Sequence, residues 1–182
     1  AMKKSGNFSV PGSGKTSSAL GVYCYLKSKN LVDRIVMIGP KNAFGSWMDE
    51  FSVCFDGIEP LRVLNIHNPI YKNTKQRNAA LQYDSGRSNL ILVNYESVGG
   101  VLDSLIQLLD KQTLLVFDEV HKVKRVNGEY AENALRLSRE ACYAVAMTGT
   151  PIPNSYTDIY NLLHILFPHE YDEFFDFTVP ML

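Results

Sequence analysis

The stretch NFSVPGSGKTSSAL, Asn7 to Leu20, decides how the rest of the chain is read. Its apolar opening, Asn7–Val10, is a strand candidate. The residues after it, Lys15–Asn30, place Ala19, Val22, Tyr23 and Leu26 at helical spacing. Two glycines therefore lie between a strand and a helix. Gly12 and Gly14 let the backbone curl so that successive N–H groups face one point, and the helix adds its positive end. Lys15 can reach the β- and γ-phosphates of a nucleotide, and the Thr16 hydroxyl can hold Mg²⁺. The candidate nucleotide-binding residues are Pro11, Gly12, Ser13, Gly14, Lys15, Thr16 and Ser17. The strict phosphate-loop pattern asks for glycine where this chain has Ser9. A glycine turn that merely caps a helix is the alternative reading.

Working outward, short apolar runs alternate with longer amphipathic ones. Strands are expected at 34–39, 61–66, 89–95, 113–119 and 142–149. Helices are expected at 46–55, 72–84, 100–110, 129–140 and about 155–166, the last capped by Asn154 and Ser155 with Asp158 in its first turn. The strands are mostly apolar rather than alternating, as in a sheet buried on both faces. Strand–helix alternation of this kind predicts an α/β fold with a parallel sheet and helices on both faces. Ligands of such sheets sit at the carboxyl ends of the strands, where the glycine loop falls.

Composition bounds the function. The chain has 182 residues, 46% hydrophobic and 20% charged, which suits one globular domain. A net charge of −1 gives no general basic field, so contact with nucleic acid would come from a local patch. Cys24, Cys54 and Cys142 lack metal-site spacing and read as thiols of a reducing compartment. No apolar run reaches the roughly 18 residues of a membrane span, so no membrane partner is expected. The aromatic, acidic end, Phe167–Leu182, reads as the point where a longer protein was cut.

A phosphate loop needs a metal partner, and LLVFDEVH (Leu114–His121) offers one. Asp118 at the end of an apolar strand would hold Mg²⁺ through water, and Glu119 would orient and deprotonate an attacking water. Lys15, Asp118 and Glu119 are the candidate catalytic residues; Thr16 and Asp118 are the candidate metal ligands. A third stretch, AVAMTGTPIPN (Ala144–Asn154), ends a strand in Thr148-Gly149-Thr150. Its hydroxyls can hydrogen-bond around a γ-phosphate and pass its loss to neighbouring loops; taken alone, a proline-terminated turn with capping threonines is the better explanation.

The order GSGKT, DEVH, TGTPIPN resembles the first RecA-like domain of the superfamily 2 helicases, within them the Swi/Snf-like DNA translocases. The resemblance runs over nearly the whole chain. IGPKNAFGSWMDEF (Ile38–Phe51) is similar to their motif Ia, LVNYESV (Leu92–Val98) to a later loop written with Tyr-Glu, and DEVHKVKR to a DEAH-type motif II. It implies a RecA-like P-loop ATPase lobe using ATP and Mg²⁺, with residues 1–182 as a single domain. His121 would couple nucleotide state to Thr148, Gly149 and Thr150. Pro40, Lys41 and the Tyr95 loop would face nucleic acid, most simply duplex DNA. The resemblance also implies a second RecA-like domain elsewhere in a longer chain, so this lobe alone would be nearly inactive. A cytoplasmic or nucleoid-associated location follows from the same likeness.

Other residues stay open. Lys122, Lys124 and Arg125 are a nucleic-acid-side patch or a solvated basic run. Trp47 at helical spacing reads as core rather than as a base-stacking platform. Lys72–Asn78 reads as a solvated helix face. Against the translocase stands a nucleotide-dependent switch or assembly ATPase acting on protein partners, which would bind nucleotide without responding to nucleic acid.

Overall fold

A computed structural model of the chain describes residues 3–109, 112–123, 128–150 and 159–167. Six parallel strands form one sheet: β1 (Lys4–Asn7), β2 (Arg34–Ile38), β3 (Val63–Asn65), β4 (Leu90–Val93), β5 (Thr113–Phe117) and β6 (Tyr143–Met147), in the spatial order β1-β6-β5-β2-β4-β3. The helices are α1 (Lys15–Ser28), α2 (Phe44–Cys54), α3 (Thr74–Asp84), α4 (Tyr95–Leu108), α5 (Glu129–Glu140) and α6 (Ile159–Leu166).

The two faces of the sheet follow from the period-two alternation of strand side chains. Ile35, Met37, Leu90, Leu92, Leu114, Val116, Val145 and Met147 point to one face and pack with Leu20, Tyr23, Trp47 and Phe51 of α1 and α2. Val36, Ile38, Ile91, Val93, Leu115, Phe117, Ala144 and Ala146 point to the other, against α3, α4, α5 and α6. Helices thus cover both faces, which is why the central strands carry no polar side. Among the described residues, no helix is long and apolar enough to cross a membrane.

Element boundaries moved where local hydrogen bonding outweighed hydrophobic pattern. The first strand is Lys4–Asn7, not Asn7–Val10. Its register with β6 runs from Lys4↔Ala144 to Asn7↔Met147. The Asn7 carboxamide oxygen then accepts from the Ser9 N–H at 3.1 Å, an Asx-type turn that ends the strand and frees Phe8–Val10 for the loop. At α3, the Asn73 side chain accepts from the Gln76 N–H at 3.0 Å while Gln76 accepts from the Lys72 N–H at 2.6 Å, a reciprocal cap that starts the helix at Thr74. The caps expected at Asn154, Ser155 and Asp158 lie outside the described residues. So do Lys124, Arg125, the two prolines after Thr150 and residues 168–182.

Candidate nucleotide site

All strands are parallel, so their carboxyl ends line one edge. That edge receives the glycine loop after β1, Pro40–Lys41 after β2, Asn94 after β4, Asp118–Glu119 after β5 and Thr148–Thr150 after β6.

The loop takes its shape from two left-handed residues, Gly12 and Gly14, each at φ 78°. Gly14 is the N-cap of α1. The Lys15 ammonium donates to the carbonyl oxygens of Ser9 and Val10, each at 3.2 Å, and so lies along the loop's own backbone. The Ser17 hydroxyl donates to Glu50 of α2 at 2.7 Å.

Asp118 is only 8% exposed. Burial pushes its carboxyl above the ordinary value; the Trp47 hydrogen bond opposes that, and the Glu119 charge adds to it. Its Oδ2 accepts from the Trp47 indole N–H at 3.0 Å and its Oδ1 from the Glu119 N–H at 2.9 Å. Each carboxylate oxygen keeps acceptor capacity beyond these bonds. A buried acid beside a second acid suits a divalent cation. Among the described residues, no three His, Cys, Asp or Glu side chains cluster as a metal cage. A hard cation held here by one carboxylate, one hydroxyl and nucleotide phosphates fits that donor set. Thr16 and Asp118 are the residues that would hold it.

The sign of the Asp118 shift gives a stability prediction. A folded-state carboxyl pKa above the unfolded one means that stability is lost as pH rises through the folded value. At neutral pH the nucleotide-free chain therefore carries Asp118 as a cost. Asp118→Asn removes the charge but turns its NH₂ group onto one of the two N–H donors, Trp47 or Glu119. The variant should therefore lose the parent's fall in melting midpoint with rising pH, together with the stabilisation by Mg²⁺ with nucleotide, without being more stable in absolute terms. A variant midpoint that falls with rising pH as steeply as the parent's would overturn this.

Glu119 sits at φ 50°, a conformation a non-glycine residue adopts at a cost. Its carboxylate lies 3.1 Å from His121 Nδ1. The same nitrogen is 3.0 Å from the Thr148 hydroxyl and 3.4 Å from that of Thr150. The Thr150 N–H donates to Thr148 Oγ1 at 3.1 Å. Glu119, Thr148 and Thr150 therefore converge on one nitrogen of His121 across the ends of β5 and β6. The structure brings these expected residues together.

Gly149 ties that cluster to the glycine loop. A Cβ placed on it would meet Pro11 Cδ at 2.8 Å and Cγ at 3.0 Å. A proline ring cannot swing aside, so Gly149→Ala must displace the start of the loop. The expected cost is about 1–3 kcal/mol of stability together with weaker nucleotide binding. Calorimetric melts with parallel ADP titration check it; wild-type values in both would show that the loop yields freely.

Tyr95 departs from expectation. It opens α4 rather than ending a strand or lying in a loop, and it is 2% exposed. Its hydroxyl donates to the Asp118 carbonyl at 2.9 Å. The ring is therefore part of the support under Asp118 and does not face a nucleic-acid strand. Pro40 is half-buried and Lys41 is exposed at the same edge. Sequence reasoning missed His67 and Asn94 beside them. The Asn94 N–H donates to His67 Nε2 at 3.3 Å, and Phe44 stacks 5.9 Å from the imidazole. Burial first, then Lys41 and Arg77, push the His67 pKa down to about 4, so it is neutral at physiological pH. Trp47 is core, as expected, at 0% exposure; its bond to Asp118 joins residues 71 apart and leaves no local trace.

Comparison with known proteins agrees with this geometry. Residues 10–181 match the family described as SNF2-related domain. The chain is 25% identical over 170 residues to the human SWI/SNF-related matrix-associated actin-dependent regulator of chromatin subfamily A member 1, covering 91% of this chain and 15% of that protein. It is 22% identical over 162 residues to the ATP-dependent helicase FUN30 of Saccharomyces cerevisiae, covering 87% of this chain and 14% of that protein. A solved SWI2/SNF2 ATPase core of Sulfolobus solfataricus, in complex with double-stranded DNA, superposes with a TM-score of 0.71 at 23% identity, covering 96% of this chain and 33% of that one. The chain thus spans about a seventh of those two relatives and a third of that core. On the match across residues 10–181 and the parallel six-stranded fold, the chain belongs to the SNF2-related domain family.

Proposed function

We propose that this chain is the ATP-binding lobe of a Swi/Snf-like DNA translocase, coupling Mg-ATP hydrolysis to movement along nucleic acid. The observation that carries the reading is the convergence of Glu119, Thr148 and Thr150 on His121 Nδ1, set beside a glycine-formed loop in a chain of this family. Lys15 would leave the Ser9 and Val10 carbonyls for the β- and γ-phosphates, exchanging neutral acceptors for charged ones. Thr16 and Asp118 would hold Mg²⁺, which when bound neutralises charge on the phosphates. Glu119 would take a proton from the water that attacks the γ-phosphorus, leaving ADP as the departing group. His121 lies between Glu119 and the β6 loop, so a change at the γ-phosphate would be felt by Thr148 and Thr150.

Pro40 and Lys41 would meet the phosphate backbone of duplex DNA, a contact that is independent of sequence. A second RecA-like lobe would complete the site with an arginine, whose absence costs about 10³–10⁵ in rate. Work on DNA implies a cytoplasmic or nucleoid location. The test is steady-state ATP hydrolysis by the longer protein carrying this lobe, with and without duplex DNA. Stimulation by DNA supports the reading; hydrolysis indifferent to DNA and RNA would replace it with a switch acting on protein partners.

A further inference from the structure

We propose that Trp47 is a positioning residue for the nucleotide site: its indole N–H fixes the Asp118 carboxylate in the orientation a bound divalent cation requires. The inference rests on the nucleotide reading above and deepens it. A buried indole N–H needs an acceptor, and backbone carbonyls usually serve. Here the acceptor is Asp118 Oδ2, at 3.0 Å. With the Glu119 N–H on Oδ1, both carboxylate oxygens are held by the protein, so the carboxylate plane is set before any cation arrives.

The helix that carries Trp47 strengthens the case. Trp47 and Glu50 are three residues apart on α2 and share a face. Trp47 reaches the acid after β5, and Glu50 accepts from Ser17 beside the phosphate loop at 2.7 Å. One helix therefore grips both halves of the site. The same helix is entered through a single helical turn that starts at Lys41, on the exposed edge. Trp47 touches neither nucleotide nor cation; it acts through Asp118.

The decisive experiment uses the 182-residue chain and its Trp47→Phe variant. ADP affinity is measured by calorimetry at stepped MgCl₂ and in EDTA. Phenylalanine keeps the aromatic filling but lacks the N–H. The variant should need about 10–100-fold more MgCl₂ to reach the same ADP affinity, the range seen when a metal ligand's own partner is removed, and should match the parent in EDTA. A merely structural Trp47 would lower the melting midpoint and leave the MgCl₂ dependence alone, and that result would overturn the proposal. Should the variant not fold, the parent decides, because Trp47 is its single tryptophan. Its emission must then change on adding ADP with MgCl₂ and stay constant with ADP in EDTA; silence in both would overturn the proposal. A parent chain that binds no ADP would sink the nucleotide reading itself, a distinguishable failure.

Discussion

Glu119→Gln will bind nucleotide as the parent does and will lose hydrolysis by about 10²–10⁴-fold, the range a positioned general base supplies. The amide keeps the length of the side chain and can still reach His121, which lies 3.1 Å from the carboxylate. It cannot accept the water proton. The left-handed backbone at residue 119 is unaltered by the exchange, so the geometry of the turn persists. Phosphate release by the longer protein carrying this lobe, beside ADP titration of the variant, separates the two effects. Hydrolysis at the parent rate would remove Glu119 from the role of base.

Lys15→Ala carries the second large effect. Among the described residues its ammonium donates to two neutral carbonyl oxygens, at 3.2 Å each, and its charge favours the Asp118 carboxylate. Those contacts lie at the surface, and their loss should leave the melting midpoint near that of the parent. Hydrogen bonds to charged partners contribute about 1.5–3 kcal/mol each. Losing two phosphate contacts therefore weakens nucleotide binding by about two orders of magnitude or more. Calorimetric titration of the variant with Mg-ADP reads this directly. Unchanged affinity would mean that the glycine loop does not hold the phosphates.

Much of this was legible in the sequence because its signals are local. The helix 129–140 has the boundaries its pattern predicts, and β2, β4, β5 and β6 lie inside their expected apolar runs. What escaped was of two kinds. Where hydrophobic pattern was silent, the ladder decided: β1 reads KSGN, an edge strand with no apolar signal, and the apolar Phe8–Val10 drew the expectation three residues too far. Where hydrophobic pattern was loud, it hid a change of element. The run through Val93 concealed that Asn94 caps a helix and turns the Tyr95 ring inward. The supports of Asp118 come from α2 and α4, 71 and 23 residues away, and no spacing rule reaches across such gaps.

The sheet order has a consequence for how the protein is made. β1 pairs with β6, joining Lys4 to Ala144, so the first and last described strands of the sheet lie side by side. The strand that anchors the phosphate loop has no other partner in that sheet. Within this lobe β1 is synthesised before β6, the strand it docks against, so the glycine loop that follows β1 cannot be anchored until Tyr143–Met147 has been made. A nascent chain that stops short of Tyr143 therefore lacks the anchor of the candidate phosphate loop.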